Sequence, residues 1–250
     1  MKRKKRVILL LITIVATILL FINWNTSIVA GHWTKQSIFL WILNCGHIQA
    51  KGARPRILLI DDDGGEGVYK VKQLCDELHM KATFAVIPSM MSQKIKDSLR
   101  SWQKQGYGIA FHGYNHEDWK EKTFEEIKND ITKSEEWLSA SSFMPLKTKY
   151  VVAPHGSNTL AIRNAIKDKG YQMVTGANIL NPDTHVFQLG RIFITPNTDL
   201  GKMESLLKKA KKKNLYVILG THSSIHHEFS AEKTREILKM AQRMGFDYQH

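Results

Sequence analysis

From Arg56 onward the chain alternates between short apolar runs of strand length and longer stretches whose apolar residues recur at helical spacing. A short continuous run suits a strand buried on both faces, and the longer spacing lines one face of a helix. The runs predict strands at Arg56–Asp61, Lys81–Ile87, Gly108–Phe111, Lys149–Ala153, Gln172–Thr175, Arg191–Ile194 and Leu215–Gly220. Between and after them the spacing predicts helices at Val68–His79, Ser92–Gln105, Phe124–Ala140, Thr159–Lys169, Asp199–Lys213 and Ala231–Met244. Thr123 with Glu126 three residues later forms a capping box at the start of the third helix. Repeated βα units imply a parallel sheet covered by helices, and about seven strands imply a barrel-like closure.

The first 55 residues follow a different pattern. MKRKKR precedes Val7–Ile22, an apolar run interrupted only by Thr13 and Thr17. As a helix it reaches roughly 24 Å against a hydrocarbon core of ~30 Å. Trp24 stands where an interfacial aromatic belongs, and Ile28 spoils a small-x-small cleavage site ending at Ala30. Residues 1–30 are therefore expected to be a basic cytoplasmic tail and an uncleaved single-pass anchor in the cell membrane. Residues 31–55 are a connector, and 56–250 an extracytoplasmic catalytic domain. Ile38–Leu43 is too short to span a bilayer, and KGARPR at 51–56 reads as a linker.

Composition adds a charge bias. Of 250 residues 43% are hydrophobic, and the formal net charge is +13, with KKAKKK at Lys208–Lys213 the densest basic run outside the tail. Such a surplus suits an anionic surface, although a lysine run is also an ordinary solvated helix face. No nucleic-acid-binding motif accompanies it, so nucleic acid is not an expected partner. Two cysteines, Cys45 and Cys75, are too few for a disulfide scaffold, and Cys75 lies in a helical pattern as a small buried hydrophobe.

Chemistry gathers at strand ends. ILLIDDDG, Ile57–Gly64, ends an apolar strand in three consecutive carboxylates, which repel one another unless a cation sits among them. His112-Gly-Tyr-Asn-His116, Ala153-Pro-His-Gly156 and Leu219-Gly-Thr-His222 follow three other strands, and in a parallel barrel all four stretches share one rim. His112 and His116, four apart, lie on one face of a helical turn and can share a metal. A carboxylate from the Asp61–Asp63 cluster completes three protein ligands with open positions, the layout of catalytic zinc. His222 adds a group able to act as acid or base. Tyr114 and Asn115 read as loop geometry, His226 and His227 as loop residues, and Trp119 as either a sugar-stacking platform or core.

IDDDG, HGYNH, APHG and LGTH, in this order, resemble the motifs of the polysaccharide deacetylases, the NodB-homology carbohydrate esterases, over roughly 56–249. The resemblance implies a distorted (β/α) barrel and removal of N-acetyl groups from a glycan such as an N-acetylglucosamine polymer. It implies Asp62 as catalytic base and Asp63, His112 and His116 as ligands of a divalent metal, zinc first. It further implies His222 as the acid that protonates the leaving amine, and the backbone N–H of His155 as an oxyanion donor. Two departures stand out. Val152 occupies the place of an arginine that orients the base, and a tryptophan-containing stretch is missing between Met173 and Gln188. Asp61 replaces a residue that is usually aromatic. Arg191 is the expected substitute for the missing arginine, reaching Asp62 from a later strand. The competing readings are a metal-dependent deacylase or amidohydrolase acting on another amide or ester, and a glycan-binding protein that has lost turnover. Oligomeric state is not legible.

Overall fold

The computed structural model describes residues 55–248. The expected anchor, most of the connector and Cys45 lie outside these residues. Among the described residues no helix is long and apolar enough to cross a membrane.

Among the described residues nine strands and six helices follow in the order β1 (Arg56–Asp61), α1 (Val68–Glu77), β2 (Ala82–Val86), α2 (Gln93–Lys104), β3 (Gly108–Phe111), α3 (Phe124–Ala140), β4 (Tyr150–Val152), α4 (Leu160–Asp168), β5 (Gln172–Thr175), β6 (Gln188–Gly190), β7 (Ile192–Phe193), α5 (Leu200–Lys213), β8 (Val217–Thr221), α6 (Ala231–Arg243) and β9 (Asp247–Tyr248). Short 3₁₀ turns at Pro88–Met90 and Pro154–Gly156 follow β2 and β4. Helix starts obey capping chemistry: Ser92, Thr123, Thr159, Asp199 and Ser230 each accept a bond from a first-turn N–H, and Thr123 with Glu126 closes the capping box.

The strands lie in the order β6-β5-β4-β3-β2-β1-β8-β7, all paired parallel, with β9 beside the start of β1. This is the expected (β/α) barrel, nearly closed. The seven anticipated strands are present, joined by β6 and β9, which are too short and too little apolar to register as runs. β6 leads into β7 through Arg191 alone, so the seam between the two ends of the sheet is crossed by the chain itself.

Strand periodicity sorts the side chains into two cores. Ile57, Leu59, Phe84, Val86, Ile109 and Phe111 point outward to the helices. Leu58, Ile60, Ala85, Ala110, Val152, Val174 and Ile218 fill the barrel. Cys75 is buried and free within the outer core, and burial pushes its thiol up to about 12.

Candidate active site

The pleat of β1 sorts the three aspartates. Successive side chains of a strand face opposite ways. With Ile57 and Leu59 outward and Leu58 and Ile60 inward, Asp61 turns toward the helical layer and Asp62 into the barrel mouth. Asp63 lies beyond the strand with a left-handed φ of 74°. A register slip of one residue would exchange the two buried acids.

Asp63, His112 and His116 converge. His112 Nε2 lies 3.5 Å and His116 Nε2 3.9 Å from Asp63 Oδ1, and the three ligand atoms fall within 4.8 Å of one another. Donors bound tetrahedrally at 2.0–2.2 Å are spaced roughly 3.3–3.5 Å apart, so the set fits a divalent cation with little movement. The histidines do not meet on a helical turn as their spacing suggests. Residues 112–119 form an irregular loop, with Gly113 at φ 74° and His116 at φ 60°. A Cβ at Gly113 would stand 2.7 Å from Pro154 Cγ, so the loop folds tightly against the β4 end. Buried Asp130 of α3 holds the loop by accepting the Tyr114 N–H at 2.7 Å. His112 Nδ1–H donates to the Val152 carbonyl at 2.9 Å, which fixes the tautomer that offers Nε2 to the pocket. Burial, with His112 close by, lowers the pKa of His116 and favours its neutral, ligating form.

Asp62 is fully buried beside this set. Arg191 Nη1 donates to its Oδ1 at 2.5 Å, so the arginine comes from the barrel seam and not from the position held by Val152. Gly220 makes room for it: a Cβ there would stand 2.9 Å from Arg191 Cδ. Oδ2 of Asp62 faces His222 Nε2 at 3.1 Å and His112 Nε2 at 3.9 Å, with no well-aligned hydrogen bond. Burial alone would raise the pKa of Asp62, but the charge and hydrogen bond of Arg191, with the His112 and His222 rings close by, hold it well below the usual carboxylate range.

His222, at the end of β8, stands between two carboxylates. Its Nδ1–H donates to Glu228 Oε2 at 2.8 Å while Nε2 faces Asp62. Burial opposes the charged ring, yet Asp62 and Glu228 outweigh it and the pKa rises to about 9. Phe193 packs on the same ring with centroids 4.8 Å apart, and the Arg191 guanidinium lies 4.3 Å from the Phe193 centroid. Asp61 accepts bonds from Thr221 and Ser223, the residues on either side of His222.

His155 stands at the rim in a left-handed conformation, φ 55°, its ring 4.5 Å from that of His116 and its Nε2 3.0 Å from the His116 carbonyl. Trp119 is wholly buried core and presents no sugar platform. His226 and His227 are exposed in the loop after β8. Glu228 and Phe193 are absent from the sequence reading. Glu228 had one available signal, an acid six residues after His222 in a loop short enough to fold back. Phe193 had one too, since alternation puts it on the same face of its strand as Arg191.

A family model described as polysaccharide deacetylase matches residues 49–174, just over half the chain, and this chain belongs to the polysaccharide deacetylase family. Solved structures agree on the fold. The chitin deacetylase of Colletotrichum lindemuthianum superposes with a TM-score of 0.62 at 17% identity, covering 81% of this chain and 88% of that one. A family 4 acetyl xylan esterase from Clostridium thermocellum, in complex with a cobalt ion, gives 0.58 at 15% identity over 77% and 86%. The catalytic domain of a peptidoglycan N-acetylglucosamine deacetylase from Eubacterium rectale gives 0.55 at 16% identity over 81% and 90%. No curated protein sequence matches this chain.

Proposed function

We propose that this protein is a divalent-metal-dependent, most simply zinc-dependent, hydrolase that removes N-acetyl groups from an N-acetylglucosamine-type glycan of the cell surface or wall. The observation that carries this reading is one juxtaposition. Asp62, clamped by Arg191, leaves one oxygen facing both the Asp63–His112–His116 set and the ring of His222. A base, a ligand set and an acid converge on one point, which hydrolysis of an amide requires.

Asp63, His112 and His116 would hold the metal, which when bound supplies Lewis acidity toward the acyl oxygen and the attacking water. Asp62 takes the proton of that water at Oδ2 while Arg191 fixes the carboxylate through Oδ1. His222, protonated at neutral pH, gives its Nε2 proton to the departing amine, and Glu228 keeps the ring aligned through Nδ1. The His155 backbone N–H is the assigned oxyanion donor, as in the family the sequence resembles. The products are acetate and a free amino sugar. The basic tail and apolar run at Lys2–Ile22 support a single-pass anchor with the barrel outside the cell membrane.

Acetate release from chitin oligosaccharides and from peptidoglycan fragments, by the full chain with one equivalent of zinc and after chelation, tests the activity. Release that needs metal supports the reading. A chain that binds metal stoichiometrically and frees no acetate from any of these glycans overturns it.

A further inference from the structure

The two ends of the barrel carry opposite charge, and this polarity has a use. In each βα unit the strand runs toward the rim of the site and the helix returns, so helix ends and strand starts share the far end. The acids Asp61, Asp62, Asp63, Glu117, Asp118 and Glu228 gather at the site rim. At the far end stand the exposed Lys211, Lys212 and Lys213 in the last turn of α5, and Lys147 and Lys149 before β4. Cations favour a helix C-terminus, which accounts for some of the α5 lysines. It does not account for Lys147 and Lys149, which lie in a connection with no helix. Of the acids at this end, Asp168 is paired with Lys128, Glu77 with Arg235 and Asp76 with Lys72.

Two further facts concern the same end. The chain enters there: Pro55 accepts the Asp247 N–H, and Ile57 pairs with Val217, the first residue of β8 after the α5 lysines. An apolar tip also projects there. Gln103 holds the backbone of Met144 from both sides, at 2.7 and 2.9 Å, and leaves its side chain and Pro145 exposed beside Lys147. Met144 and Pro145 beside Lys147 pair an apolar contact with a cation, which suits the boundary between phosphate headgroups and acyl chains.

We infer that the end of the barrel opposite the site, through Lys147 and Lys149 beside Met144 on one side and Lys211–Lys213 on the other, rests on an anionic phospholipid surface. This rests on the proposed extracytoplasmic anchor, which brings the entering chain to the membrane. The segment between the apolar run and Pro55 spans up to roughly 100 Å when extended, so a tether alone sets no orientation. The basic end sets it. β1 rises about 3.3 Å per residue, so docking lifts the acidic rim on the order of 20 Å or more clear of the bilayer. The site then faces polymer outside the membrane and turns away from lipid-borne headgroups.

The test uses the full chain in nanodiscs of phosphatidylglycerol or of phosphatidylcholine, pulsed with a water-soluble amine reagent and read by peptide mass spectrometry. Lys147, Lys149 and Lys211–Lys213 are expected to react at least fivefold more slowly on phosphatidylglycerol, with the protection lost at high salt. Lys94 and Lys120, at the rim end, should react equally on both. The variant Lys211→Glu/Lys212→Glu/Lys213→Glu should restore labelling of Lys147 and Lys149. Equal labelling on both lipids overturns the proposal. Protection by soluble poly(glycerol phosphate) but not by phosphatidylglycerol overturns it in favour of an anionic polymer. A chain that fails to enter phosphatidylcholine discs removes the anchor reading, while its labelling on phosphatidylglycerol still decides the surface.

Discussion

Asp61 receives Ser223 twice, from the backbone N–H at 2.9 Å and from the hydroxyl at 2.5 Å, and receives the Thr221 hydroxyl at 2.7 Å. Thr221 and Ser223 flank His222, so the first aspartate of the DDD run locks the backbone that aims the His222 ring, the proposed acid. Burial lifts the Asp61 carboxyl to about 7 against these three bonds.

Asp61→Ala should therefore cost on the order of 3 kcal/mol of stability, by orphaning buried donors. It should also reduce turnover about tenfold or more while KM and zinc stoichiometry stay put. Asp61→Asn, which keeps an acceptor for the Ser223 N–H, should recover most of the turnover. An Asp61→Ala enzyme that loses zinc, or that keeps full turnover, would show that the residue serves the metal pocket or nothing but the fold.

The pleat gives Asp62 and Asp63 different neighbours, and this predicts different losses. His112→Ala and His116→Ala should each abolish tight zinc binding, seen in dialysed protein by metal analysis. Asp62→Asn should keep the zinc and lose at least about 10²-fold in turnover, the scale of a positioned base. If Asp62→Asn loses zinc as fully as Asp63→Asn, the division of roles within the run is wrong.

His222 predicts the alkaline limb. Its folded pKa of about 9 exceeds the ordinary histidine value of 6.5. The stabilisation from its charged form is thus fully present below about 6.5 and fades as pH climbs through 9. If His222 is the proposed acid, its acid form disappears over the same upper range and turnover should fall near pH 9. Glu228→Gln removes one of the two carboxylates and should move that limb to lower pH. The imidazole titration of the metal-free protein, followed by NMR, should move in the same direction. An unmoved limb and an unmoved titration in Glu228→Gln would exclude Glu228 as the partner that sets this acid.

Much of this was legible because the fold repeats local rules. Apolar runs and caps located six helices and seven strands, and the capping box at Thr123 stands where the sequence puts it. Strand ends assembled the site because a parallel barrel brings them to one rim. What the sequence withheld was tertiary or strained. The His112–His116 spacing suggests a helical turn, yet left-handed Gly113 and His116 bring the rings together through a loop. β6 is three residues long and nothing in its composition marks it. Glu228 reaches His222 only because the loop after β8 folds back, a path that no periodicity reports. No local pattern gives Asp61 a role, because its partners, Thr221 and Ser223, are 160 and 162 residues away.

The Arg191–Asp62 pair supplies the final prediction, through a residue that touches no substrate. Arg191 crosses the inner face of β8 at Gly220, where any Cβ would lie 2.9 Å from its Cδ and 3.1 Å from its Cγ. The pair is buried, so breaking it leaves an unpaired charge at a cost of roughly 3–5 kcal/mol. Arg191→Ala should lower turnover by about 10²-fold with zinc retained. It should also raise the apparent pKa of the base, since the guanidinium is the strongest influence holding Asp62 low. Arg191→Lys keeps the charge and loses the planar fork, so it should recover the acid-limb pKa better than the rate. Gly220→Ala removes no group of the site but crowds the arginine and, less tightly, the Phe193 ring, and it should reproduce the Arg191→Ala rate and pH profile in milder form. Its zinc content should be normal. If Gly220→Ala proves fully active with an unchanged acid limb, Arg191 does not need this path, and the orientation of Asp62 must come from His222 and the packing of the barrel mouth instead.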